Sequence, residues 1–223
     1  VLDNYPILSI LIFLPFAGGL ALLAMAGRAA VCRFTALTVS LLELVLAGAV
    51  WVAAPGASAA GALPGFFLVE DLPWIERFGI RYFLAMDGIS LLMVLLGAFL
   101  VTAAMLFSWN SVTDRIAQYH SLLLLATAGM LGVFLSQDLF LFYLFWELML
   151  IPLFFLIAAW GNGRPFRPAM RFFLFTVGGS ALMLLAIIGL HLAHGNATGV
   201  YTFALPELLH TPLSPRLSCW LFA

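Results

Sequence analysis

One carboxylic acid in this sequence stands where water is scarce. Glu147 is the ninth residue of the 21-residue, mostly apolar run Leu139–Ala159, so a membrane-crossing helix would hold its side chain near mid-membrane. An ionisable group costs about 2.5–3.5 kcal/mol to insert at that depth, which makes it a functional candidate by default. Loss of water favours the neutral acid and a nearby cation favours the carboxylate, so the group can load and release protons. The competing reading is a permanently protonated acid that only bonds another helix. Tyr143, one turn earlier on the same face, offers a phenol as donor to Glu147, and Pro152 leaves the carbonyl of Leu148 without its helical partner. Both stand as supporting candidates, although each also serves ordinary packing.

Glu43, the tenth residue of the run Phe34–Ala54, is a further supporting candidate. Ser40 lies one turn away and no proline follows, so function, neutral packing and contact with lipid stay open. Asp87, near the outer start of its run, is expected to cap a helix or join an outer-surface ion pair, and Asp138, just before a run, to cap a helix. His191 and His194 close another run, where they could pass protons to water or simply occupy the interface. Arg164, Arg167 and Arg171 share one connection, where basic residues satisfy membrane topology without further purpose.

Other chemistry is poorly supplied. The cysteines, Cys32 and Cys219, are far apart, so no disulfide framework or zinc site is expected. No nucleophilic triad, phosphate loop, haem pair or flavin site is visible, and neither cofactor nor metal is expected in this chain. Nine scattered arginines and a net charge of −1 give no footprint for nucleic acid.

The elements that must position these residues follow from composition. With 65% apolar and only 9% charged residues among 223, the chain cannot build a water-facing surface and must be solvated by lipid. Runs long enough to span are Ile7–Ala26, Phe34–Ala54, Ala85–Phe107, Gln118–Ser136, Leu139–Ala159 and Ala169–His191, and Leu217–Ala223 begins a seventh. Continuous apolar runs are helical, since barrel strands would alternate. The expected fold class is an all-α polytopic membrane protein. The first run is read as a retained span, having neither the basic flank nor the cleavage site of a signal peptide.

Connections after odd-numbered spans hold six arginines and those after even-numbered spans three, which places the N-terminus outside. The one long connection, 55–84, carries Trp74, Phe78, Tyr82 and Phe83, read as an interfacial aromatic belt, with an outer hairpin turning near Phe78–Gly79 as the alternative. Two organisational parts are expected, 1–117 with spans one to three and 118–223 with spans four to six and the start of seven. Because the sequence stops inside an apolar run, it reads as a fragment.

The segments DGISLLMVLL at 87–96, DLFLFYLFWELMLIPLFFLIAAWG at 138–161 and RFFLFTVGGSALML at 171–184 resemble the antiporter-like membrane subunits of NADH-quinone oxidoreductase, respiratory complex I. The order and spacing match chain M better than its sister chains L and N. The most specific element is Phe145-Trp146-Glu147-Leu148-Met149-Leu150-Ile151-Pro152.

That resemblance implies an inverted-repeat fold whose first repeat begins with span four, so the chain is expected to be an N-terminal fragment ending within it. It also implies proton loading at Glu147, coupled to quinone reduction elsewhere in the complex and with no redox chemistry in this chain. The expected partners are neighbouring membrane subunits of types L and N and the lipid bilayer, and the expected location is the bacterial inner (plasma) membrane, crossed many times. Family members pair the glutamate with a lysine on a later helix, and this sequence contains no lysine; at the head of the sixth helix Arg171 stands where lysine is common. The alternatives are a subunit of a multi-subunit Na+/H+ antiporter or membrane-bound hydrogenase, or a purely structural subunit.

Overall fold

The computed structural model describes residues 6–24, 29–57, 65–161, 163 and 165–213. Six of its helices are long and apolar enough to cross a membrane: α1 (Ile7–Ala24), α2 (Ala29–Ala57), α3 (Gly88–Ser111), α4 (Ile116–Leu135), α5 (Leu139–Trp160) and α6 (Phe166–Thr198). A four-residue helix, α7 (Leu205–Leu208), follows. The expected start of a seventh span at Leu217–Ala223 lies outside the described residues, as do Asp3, Arg28, Arg164, Arg216 and Cys219.

The caps explain where the helices begin. Asp87 accepts from the backbone N–H of Ser90 at 2.7 Å and starts α3. Asp138 accepts from Phe140 and Leu141, each at 3.0 Å, and starts α5. These bonds satisfy amides that the first turn of a helix leaves without intrahelical partners.

The third span begins at Gly88 rather than at Ala85, because Ala85 and Met86 belong to a strand. The outer connection folds as an antiparallel hairpin, β1 (Leu68–Ile75) and β2 (Ile80–Met86), turning through a 3-10 segment Glu76–Phe78 and Gly79. Gly79 is left-handed, with φ 67°, and a side chain there would strike the backbone of Tyr201. The aromatic belt is only half present: Trp74 and Phe78 are exposed, whereas Phe83 is buried and Tyr82 is bonded inside. Alternation along β2 turns its residues to opposite faces, so one stretch of apolar sequence cannot all face lipid.

The hairpin is stitched to the ends of the helices. Gln137 N–H donates to the Phe83 carbonyl at 2.9 Å, Leu139 to Phe203 at 2.9 Å, and Leu205 to Gln137 at 2.7 Å. Glu70 receives Leu8 N–H at 2.6 Å and the Ser9 hydroxyl at 2.5 Å, which caps α1 from β1. Ser9 also bonds the Tyr82 phenol, whose pKa is raised by burial and by the nearby Glu70 charge, against the lowering effect of Ser9. At the opposite end Arg33 donates to the Val112 carbonyl at 2.9 Å, and the Trp160 indole to that of Asp114 at 3.2 Å.

Between the two ends, α4 packs against both α1 and α5, and glycines set the approach. A Cβ on Gly19 would lie 3.0 Å from the Ser121 carbonyl oxygen, one on Gly129 would lie 2.8 Å from the Met149 amide, and one on Gly132 would enter the Phe145 ring. Close helix contact through small residues supplies packing where lipid removes the hydrophobic drive.

Candidate functional site

The carboxylate of Glu147 is placed by α5, and α5 is placed by Asp138 at its start and by the glycine face of α4 along its length. Phe145 and Leu150 turn toward the interior, leaving Glu147 half-buried toward α6. There the hydroxyl of Ser180 donates to Glu147 Oε1 at 2.5 Å. Ser180 is buried, and its hydroxyl also lies 3.1 Å from the carbonyl of Val177. The Tyr143 hydroxyl joins this cluster and interacts with both Glu147 and Ser180. Pro152 is buried in the same helix, five residues beyond the carboxylate.

This arrangement suits a group that changes charge. A serine hydroxyl has one proton to give and lone pairs to receive with. When Glu147 is ionised, Ser180 donates to it. When Glu147 is protonated, the acid can donate to Ser180 Oγ while the serine proton turns to the Val177 carbonyl. Neither state leaves the pair without a bond.

Glu43 is placed away from lipid. It is 1% exposed, enclosed by α1, α3 and α4, and neither carboxyl oxygen has a hydrogen-bond partner. The reading as a lipid-facing acid is therefore corrected: the buried stripe of α2, Cys32, Ala36, Ser40, Glu43, Ala47 and Val50, repeats every three or four residues and carries Glu43 inward.

Asp138 is fully buried and also accepts from Arg81 N–H at 3.1 Å. Burial raises its pKa, opposed by the three backbone donors and by the Arg81 charge. Asp138 thus caps a helix and fastens the hairpin to it. His191 Nδ1 lies 2.8 Å from the Thr202 carbonyl and its ring stacks on Phe203, while His194 is buried against Thr211. Both histidines tie α6 to the segment that follows, His191 partly exposed and His194 buried. Arg167 and Arg171 are exposed. Among the described residues no group of three or more His, Cys, Asp and Glu is placed to hold a metal ion.

Ser180 escaped the sequence reading because it lies 33 residues from Glu147 and meets it only across a helix interface. The small, polar turn Val177-Gly178-Gly179-Ser180 in an apolar helix was the signal that could have found it.

Comparison with known proteins agrees with this architecture. Residues 136–216 match the family described as NADH:quinone oxidoreductase/Mrp antiporter, TM. A Pseudomonas aeruginosa protein named NADH-quinone oxidoreductase subunit M is 45% identical over 96% of this chain and 44% of its own length. The Escherichia coli K12 protein of the same name is 41% identical over 92% of this chain and 42% of its own length. This chain therefore spans less than half the length of those relatives. Among solved structures, a chain of respiratory complex I from Thermus thermophilus with bound NADH matches with a TM-score of 0.79 at 28% identity, over 96% of this chain and 41% of that one. Residues 136–216 are thus similar to the NADH:quinone oxidoreductase/Mrp antiporter transmembrane family, and the chain is a multi-pass plasma-membrane protein similar to those named NADH-quinone oxidoreductase subunit M.

Proposed function

We propose that this chain belongs to a proton-translocating membrane subunit of the complex I type, in which Glu147 takes up and releases a proton while quinone is reduced elsewhere in the assembly. The observation that carries the reading is the Glu147–Ser180 contact, which remains bonded whether the acid is charged or neutral. Tyr143 contributes a second hydroxyl to the cluster, and Pro152 leaves the Leu148 carbonyl free to polarise the helix beside it. In this reading the chain supplies a proton carrier, and the redox chemistry takes place elsewhere in the assembly. Its neighbours would be other membrane subunits, of types L and N, meeting the broad apolar faces of α2, α3 and α6.

The orientation we propose puts the hairpin, the α4–α5 turn and the α6–α7 segment outside, with Arg115, Arg167 and Arg171 inside. Their hydrogen bonds gather the first set at one end of the bundle. The division expected at 117/118 falls in the first turn of α4, the helix with which we propose a repeat begins.

In the full-length chain in its native membrane, Glu147→Gln is expected to abolish or severely lower proton pumping, because Gln keeps the shape but cannot ionise. Glu147→Asp should retain part of it. Undiminished pumping with Gln would leave Glu147 a structural role only.

A further inference from the structure

The role of Glu147 leaves unexplained the more deeply buried of the two acids within the spans, Glu43. Among the described residues, the buried side-chain nitrogen and oxygen atoms without a hydrogen-bond partner are Glu43 Oε1 and Oε2, His120 Nε2 and Arg33 Nε. All four lie on α2 and α4. We propose that Glu43 is a second proton-binding site, reached along the seam between α2 and α4 from the end where Arg33 and His120 lie.

The walls of the Glu43 compartment are Pro15, Ser40, Ala98, Val101, Leu124 and Thr127. None is titratable, so no charge from α1, α3 or α4 borders the acid. The hydroxyls near it bond backbone carbonyls: Ser40 that of Leu37 at 3.0 Å, Thr127 that of Leu123 at 2.8 Å, and Thr102 that of Ala98 at 2.8 Å, with the Ser40 carbonyl 3.1 Å away. None lies within hydrogen-bond distance of the Glu43 oxygens. A buried carboxylate with no donor in reach is far costlier than the neutral acid, so the compartment holds the neutral form.

The same walls select the ligand. As packed, the compartment has no room for a water molecule, and therefore none for a metal cation with its shell of oxygens. A proton is the one cation it can take, during transient opening of the seam.

The other end of the seam has a suitable acceptor. His120 is 1% exposed, and its Nδ1 bonds the Ile116 carbonyl at 2.8 Å, which requires the hydrogen on Nδ1 and leaves Nε2 a free lone pair. Arg33 lies within electrostatic reach of it. Arg33 and Glu43 are ten residues apart on α2, about 15 Å at the rise of an α-helix. The seam thus carries a proton acceptor near its end and an acid at its middle.

Hydrogen–deuterium exchange followed by infrared spectroscopy tests the proposal without reference to pumping. The full-length chain is measured in its native membrane, and the difference between wild type and Glu43→Gln isolates the carboxyl band of Glu43. The expected result is a protonated-acid band that shifts in D2O within minutes, ahead of the core amides of α2 and α4, and at least about tenfold more slowly in His120→Leu. If Glu43→Gln does not assemble, Glu43→Asp identifies the band by displacing it. A missing protonated-acid band, exchange only in step with the core amides, or an unchanged rate in His120→Leu would each overturn the proposal. Glu147→Gln is the control, expected to leave the Glu43 rate unchanged, so its pumping bears on Glu147 alone.

Discussion

Glu43 and Glu147 are both acids in the middle of apolar helices, yet the fold treats them in opposite ways. Glu147 is half-buried and bonded to a serine on the next helix. Glu43 is sealed within the bundle and bonded to nothing. The difference teaches that depth in the membrane does not decide what an acid can do. The hydroxyl geometry around it does: Ser180 reaches Glu147 and can reverse its bond, whereas no hydroxyl reaches the oxygens of Glu43.

The comparison breaks most severely if α5 is moved. Gly132→Val should push Phe145 off α4 and carry Glu147 with it, because the new side chain would occupy the ring's place. A loss of about 3 kcal/mol or more, within reach of strained overpacking, is expected in thermal unfolding in detergent, together with poor assembly. Gly48→Val, on the partner helix of the comparison, meets nothing within 4 Å and should be tolerated.

A change of opposite sign follows from the orphaned oxygens. Glu43→Leu fills a similar volume without polar atoms, so it should raise stability by about 1–3 kcal/mol, the cost of an unsatisfied buried group. Thermal unfolding of the two chains side by side reads the effect. A lower midpoint in the leucine variant would show that Glu43 has a bond that the present geometry lacks.

A smaller effect is expected at Ser180. Ser180→Ala removes the hydroxyl that answers both charge states of Glu147, at about 1 kcal/mol, so a pumping rate limited by that proton should fall roughly fivefold. Ser180→Thr, which keeps a hydroxyl, should recover most of it.

The spans were legible because about 20 apolar residues have few other uses. Their edges were less so. Leu84, Ala85 and Met86 are fully buried in a strand, and apolar composition alone reads the same in a buried strand as in a helix. The second span starts at Ala29, ahead of the expected Phe34, because Arg33 is held by Val112 at the helix end and does not stop the helix. The sixth continues past His191 to Thr198 and stops where Gly199 turns left-handed.

At the site, Glu147 and Tyr143 were legible from one helix, since residues four apart share a face. Ser180 was not, because the packing of α5 on α6 chooses it. The burial of Glu43 was equally hidden: a helix apolar on all sides does not announce which face turns inward.

The central claim is that Glu147 changes its protonation as the assembly turns over. Infrared difference spectroscopy of the full-length chain in its native complex, triggered by quinone reduction, observes that change directly. The account predicts a carboxyl band that appears and disappears with turnover and is absent in Glu147→Gln, along with its pumping. A difference spectrum identical in wild type and Glu147→Gln, with pumping intact, would contradict it.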